Sequence, residues 1–234
     1  MDAIGAMDGM PMPGGGTMST VWMPVPGQTW PGAAASFLGI WVVMMAAMML
    51  PSLVPALWRY RHAIGRCGET RPGSPIALMG VGYFVVWTAF GIAIYPLGVA
   101  LAAVEMQWPS LARVVPIAVG VVVLIAGVLQ FTAWKARHLA CCRESPGRGL
   151  ALPVNAATAW RHGLRLGLHC TACCAGLMAI LLAIGVMDLR AMAAVTAAIT
   201  AERLAPGGER IARAIGGVAV GAGLLLIVRA GVLG

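Results

Sequence analysis

Long apolar runs are the strongest restriction on the fold of this chain. They are separated by short polar segments and cover residues 33–57, 75–104, 114–134, 166–187 and 211–233, with a shorter run at 189–200. A membrane leaves only helices or closed barrels, because every backbone amide must be satisfied internally. The runs reach about 20 residues and lack alternation of period two, which favours helices. Charged residues make up only 10% of the chain, against about 25% in soluble domains. The sequence therefore predicts an all-α, polytopic transmembrane helical bundle.

The basic residues decide how the short run at 189–200 is interpreted. Arg and Lys collect in the cytoplasmic loops of membrane proteins, and here they fill the loops after the first and third runs. If 189–200 crosses the bilayer, Arg203, Arg210 and Arg213 lie on that same side. This predicts about six spans with both termini outside. The number is five if 189–200 lies at the interface instead.

The composition also predicts how the chain is divided. Residues 1–32 are rich in Met, Gly and Pro and free of Lys and Arg, which is typical of a loop-like extracytoplasmic tail. Residues 33–234 form a single transmembrane domain whose glycines at 216–223 either permit close helix packing or reflect composition alone. The net charge of +8 is explained by the membrane loops, so nucleic acid is not an expected partner.

Thiols and one imidazole collect around the ends of the third and fourth runs. The candidate metal ligands there are Cys141, Cys142, Cys170, Cys173, Cys174 and His138. On a helix, Cys170 and Cys174 lie on one face, and so do His138 and Cys142. Cytosolic thiols are kept reduced, so metal binding or transient redox chemistry is favoured over a disulfide framework. Packing is the alternative interpretation, because cysteine behaves as a small apolar residue.

The first run carries a second soft set of side chains. Its candidate ligands are Met44, Met45, Met48 and Met49. They fall near the middle of the run, at the depth of Cys174 and Met178 in the fourth. Thioether combined with thiolate suits Cu(I), with zinc as the second choice, although methionine also serves as adaptable core packing. Pro51 and Pro55 are expected to kink or end the helix beyond the methionines.

The relative heights of the two cysteine groups leave one site or two open. His138 and Cys142 are expected one to two turns beyond the third span, whereas Cys170 lies one to two turns inside the fourth. Either the heights match and one site forms, or a deep site and a separate one at the cytoplasmic mouth exist. Glu202, near a helix end, is interpreted as an interfacial residue.

Three segments together resemble a bacterial family of predicted metal-binding integral membrane proteins, otherwise a domain of unknown function. They read WVVMMAAMMLPSLVP, WKARHLACCR and GLHCTACCAGLMAILLAIGVMDLRAM. Two positions depart from the family pattern, since His138 stands for a cysteine and Ala172 for a glycine. The resemblance implies a multi-pass protein of the bacterial inner membrane that binds a metal, and it names no reaction. Its motif positions fall on Met44, Met45, Met48, Met49, Lys135, Cys142, Cys170, Cys173 and Cys174.

Three functions compete at this level. The first is a soft-metal protein for uptake, delivery or cofactor insertion, with the lipid bilayer and the metal ion as partners. The second is a structural or assembly subunit that contacts other membrane proteins. The third is a thiol redox enzyme that uses Cys170 and Cys173, although burial in an apolar helix lowers thiol reactivity. No acid–base pair, phosphate loop or hydrolase elbow is evident, so a non-enzymatic function is favoured.

Overall fold

The computed structural model describes residues 10–11, 17–18, 22, 27–65, 73–108, 114–143, 155–186 and 188–233. Within these ranges lie seven helices: α1 (Trp30–Gly65), α2 (Gly73–Gln107), α3 (Val115–Leu129), α4 (Ala133–Arg143), α5 (Ala156–Ile184), α6 (Leu189–Leu204) and α7 (Gly208–Leu233). Ahead of them, β1 (Met10–Pro11) pairs with β2 (Thr17–Met18) as an antiparallel ladder of two residues each. Most of the predicted tail at 1–32 lies outside the described residues.

The helices agree with the predicted all-helical bundle. Among the described residues, α1, α2, α5 and α7 are long and apolar enough to cross a membrane, and α3 with α4 makes a fifth if the pair counts as one bent span. α6 has 16 residues and is not among them. The sequence-based count of about six spans therefore stays a prediction. α1 continues through Pro51 and Pro55 to Gly65, so of the two expected effects of these prolines, a kink or an end of the helix, the end is wrong.

The third apolar run is broken rather than straight. α3 ends at Leu129, and α4 leaves it at an angle of 66°. Thr132 stabilises the new helix start because its Oγ1 accepts a hydrogen bond from the Lys135 N–H at 3.3 Å, the arrangement of a helix N-cap. The bend redirects α4 so that it packs along α5.

The fourth run begins earlier than its apolar core suggests. α5 starts at Ala156, not near residue 166, because Asn155 caps it by accepting the Thr158 N–H at 2.7 Å. Its first turns carry Arg161 and Arg165, which hide them from an apolarity scan.

Glycines on α5 set the distance to α2. Gly163, Gly167 and Cys170 are spaced by four and three residues, so they share one face of the helix. A Cβ at Gly167 would lie 3.0 Å from the Tyr83 carbonyl oxygen, and one at Gly163 would collide with the Met79 backbone. The two helices therefore approach closely, and this places Tyr83 against Cys170.

Glycines also set the contact between α3 and α7. A Cβ at Gly127 would lie 2.7 Å from the Val220 backbone nitrogen, and one at Gly223 would lie 2.6 Å from that of Leu124. Of the two interpretations of the glycines at 216–223, the structure supports close helix packing.

This contact predicts a difference between two glycines of α7. Gly223→Ala is expected to lower the free energy of unfolding by about 1–3 kcal/mol, because the added methyl overpacks against backbone. Gly221→Ala is the matched control: its Cβ would meet no atom within 4 Å, so it is expected to be neutral or stabilising. Thermal unfolding of both variants in the same detergent measures the difference. Equal effects would contradict the close approach of α3 and α7.

Candidate metal centre

The methionines of α1 and the cysteines of α5 form part of one buried cluster. None of the four methionine side chains is more than 5% exposed. Cys170, Cys173 and Cys174 are buried to the same degree. Two soft ligand sets that are far apart in sequence therefore meet inside the bundle.

Cys170 is the point at which these sets touch. Its Sγ lies 3.9 Å from the Met49 Sδ and 3.9 Å from the Cys174 Sγ. The Tyr83 hydroxyl is 3.0 Å from the same sulfur, and the Arg203 Nη1 is 3.3 Å from it. One fully buried thiol thus has a thioether, a second thiol, a phenol and a guanidinium around it.

The sulfur spacing can be compared with a metal site. With metal–sulfur bonds of about 2.3 Å, two ligands of a three-coordinate ion lie about 4 Å apart. The distances from Cys170 to Met49 and to Cys174, both 3.9 Å, match that value. Across the described residues, no three His, Cys, Asp or Glu side chains are grouped to hold a metal ion. That statement does not cover a set of two thiols and one thioether, because methionine is not among those residue types.

Arg203 brings a positive charge into this interior. Its side chain donates to the Ser52 Oγ at 2.8 Å and to the Cys170 Sγ at 3.3 Å, and the residue is only 6% exposed. Within the described residues no carboxylate pairs with it. A buried cation without an anion is unfavourable by several kcal/mol. A thiolate at Cys170 would supply the anion and accept a charge-assisted hydrogen bond.

A second buried polar group connects the bend between α3 and α4 to α5, the helix that carries Cys173. The Lys135 Nζ donates to the Glu202 Oε2 at 2.6 Å and to the Cys173 carbonyl oxygen at 2.8 Å. The Gln130 Nε2 donates to the other Glu202 oxygen at 2.9 Å. Beside this group, Gln130 and Lys135 line a cavity of about 280 Å³ that also reaches Glu209 of α7.

Sequence reasoning missed the roles of Glu202 and Arg203. Both side chains are buried inside the bundle, whereas the sequence analysis had placed Glu202 at the membrane interface and Arg203 on the cytoplasmic side. Their partners lie 67 and 151 residues away along the chain, which local patterns do not reveal. One signal in the sequence could have pointed to a buried ion pair. Lys135 is the one lysine of the chain, and it lies beside the segment with His138 and Cys142.

The 66° bend also brings the second candidate group to α5. Cys142 is buried, whereas Cys141 is exposed. The His138 Nδ1 lies 3.1 Å from the Nδ1 of His169, a residue that the sequence analysis did not single out. The predicted mismatch in height is removed, because α4 runs along α5 instead of continuing α3.

Comparison with known protein families shows what this chain is similar to. The family described as PpoB2, copper chaperone, matches residues 38–226. This range contains both the methionines of α1 and the cysteines of α5. No curated protein and no solved structure matches the chain.

The buried ion pair predicts a large effect of one conservative change. Glu202→Gln leaves Lys135 charged and buried without its carboxylate, and we expect a loss of about 3–5 kcal/mol in the free energy of unfolding. Glu209→Gln is the control: it removes a carboxylate whose side chain is 59% exposed and 3.8 Å from Arg213. Such an exposed pair is worth about 0–1 kcal/mol. Unfolding in detergent compares the two, and equal small losses would contradict a tightly paired Lys135.

Proposed function

The chain belongs to the PpoB2 copper chaperone family, and we propose that it is an integral membrane protein that holds Cu(I) as cargo between α1 and α5. The proposed ligands are the thiolates of Cys170 and Cys174 and the thioether of Met49. The other three methionines of α1, together with Cys142 and Cys173, supply further sulfur atoms around these ligands.

The contact of Arg203 with Cys170 is the observation that carries this proposal. In the absence of copper, the positive charge of the Arg203 guanidinium is balanced by one thiolate. With Cu(I) bound and Cys174 also ionised, two positive and two negative charges sum to zero. A divalent zinc ion in the same place leaves one positive charge uncompensated in a buried site, which is unfavourable. Together with the thioether, which zinc rarely takes, this favours Cu(I).

The surface of the bundle supports a position in the bilayer. Large apolar side chains are exposed on several helices, including Val43 of α1, Leu101 of α2 and Val218 of α7. Contiguous apolar surface is unfavourable in water and fits contact with lipid. The charged groups Lys135, Glu202 and Arg203 lie inside the bundle, where membrane proteins keep charges with a function.

The finer topology follows the distribution of basic residues. We propose a bacterial inner membrane location with the Met-rich tail at 1–32 outside the cytoplasm, where its thioethers collect copper. α6 completes a sixth span in this arrangement. Copper then passes from the tail to the buried sulfur cluster, and uptake or delivery to an apo-enzyme follows.

Copper binding by ligand variants tests this function. Purified protein is titrated with Cu(I) against a chromogenic chelator. We expect Cys170→Ser and Met49→Leu to weaken binding, Cys170→Ser by more than the roughly 10–100-fold that loss of an outer-shell partner causes. Met106→Leu is the matched control, since Met106 is half exposed on α2. The proposed ligand set would be contradicted by a wild-type protein without copper affinity, or by equal Cu(I) affinities of the Met49→Leu and Met106→Leu variants.

Arg203 is tested as a residue that positions and balances the thiolate. Arg203→Gln removes the charge and is expected to lower Cu(I) affinity by about 10–100-fold. Arg203→Lys keeps the charge and should recover part of the loss. The control is Arg213→Gln, because the Arg213 side chain is 63% exposed. A lower Cu(I) affinity without any change in protein stability separates this role from a structural one. Equal Cu(I) affinities of Arg203→Gln and Arg203→Lys would contradict charge compensation.

A further inference from the structure

We propose that His138 and His169 form a second copper station, through which the cargo is exchanged between the surroundings and the sulfur cluster. The inference rests on the proposed function because it takes copper as the cargo. It adds a separate site with nitrogen ligands from α4 and α5. His169 has no part in the sulfur cluster described above.

The geometry of the two rings fits a shared ion. Their Nδ1 atoms are 3.1 Å apart and the ring centroids 5.4 Å apart. Two nitrogen ligands at about 2.0–2.1 Å from a tetrahedral ion lie about 3.3 Å apart, so binding requires only a small movement. In the metal-free protein, one ring donates a hydrogen bond to the other. For both Nδ1 atoms to hold Cu(I), the donating ring moves its proton from Nδ1 to Nε2, so that each neutral ring offers a free lone pair.

The surroundings hold one ring in place and leave the site accessible. Trp134 makes an edge contact with His138, with centroids 4.7 Å apart, and stands four residues earlier on the same face of α4. His138 and His169 are both half-buried. The remaining coordination positions are therefore open to water or to a copper-carrying ligand, as in metal sites that exchange what they bind.

The station lies one helical turn from the thiols. His138 and Cys142 are four residues apart on α4, and His169 and Cys173 are four residues apart on α5. Each histidine is therefore about 6 Å along its own helix from a buried cysteine. His169 also directly precedes Cys170. Imidazole is a harder ligand than thiolate or thioether, so Cu(I) is held more weakly at the histidines than at the sulfurs.

Copper stoichiometry and X-ray absorption of the full chain test the station. We expect the wild-type protein to show nitrogen as well as sulfur scattering and to yield part of its Cu(I) rapidly to a chelator. His138→Ala and His169→Ala should each lose one copper equivalent, the nitrogen scattering and the rapid phase, and keep the sulfur-bound copper. His162→Ala is the matched control, because His162 lies on α5 and stacks on Tyr60 instead.

The outcomes separate this inference from the proposed function. Sulfur scattering alone in the wild type, with both histidine variants unchanged, overturns the station and leaves the sulfur site standing. An equal loss in all three histidine variants shows a structural effect and also overturns the station. Absence of bound copper in the wild type overturns both. Loss of the nitrogen signal in His138→Ala and His169→Ala, together with its retention in Cys170→Ser, supports two separate stations.

Discussion

Arg203 in contact with Cys170 is the interaction on which the chemistry of this interior depends. Of the buried charged residues that the structure describes, two are cations, Lys135 and Arg203, and one is a carboxylate, Glu202. Lys135 and Glu202 neutralise each other at 2.6 Å, which leaves Arg203 to be balanced by something else. In the proposed function the Cys170 thiolate is this anion, because a thiol ionises more readily than a hydroxyl. The same ionised sulfur is what a soft cation binds.

Backbone proximity makes that interaction possible. Gly163 and Gly167 let α2 approach α5 within van der Waals contact, and this delivers the Tyr83 hydroxyl to the Cys170 sulfur. On the other side, the bend at Thr132 turns α4 onto α5 and brings Lys135 to the Cys173 carbonyl. Small residues and a local cap thus determine which side chains share the interior.

Much of the fold follows from the sequence, because long apolar runs admit few interpretations in a bilayer. The predicted runs correspond to helices, and the methionines of α1 and the cysteines of α5 do lie together, with Met49 against Cys170. An apolar run, however, indicates neither the direction of its helix nor the partners of the polar side chains on it. It therefore missed the bend after Leu129 and the early start of α5 at Ala156, where capping side chains decide. Whether the clustered residues ligate a metal stays a prediction.

The charged residues show most clearly why part of the site was out of reach. A Glu–Arg pair at the end of an apolar helix is typical of an interfacial position, and nothing adjacent to Glu202 or Arg203 indicates otherwise. Their partners come from α1, α4 and α5 and from Gln130 after α3, so their role exists only once the bundle has formed. His169 is similar, since its significance arises from His138 on another helix. A buried soft site retains its cargo because it is closed and neutral, and for the same reason it exchanges cargo slowly. In the proposed arrangement, the half-buried and harder histidine pair one turn away supplies the exchange that the closed site lacks, so the two sites complement each other on adjacent helices.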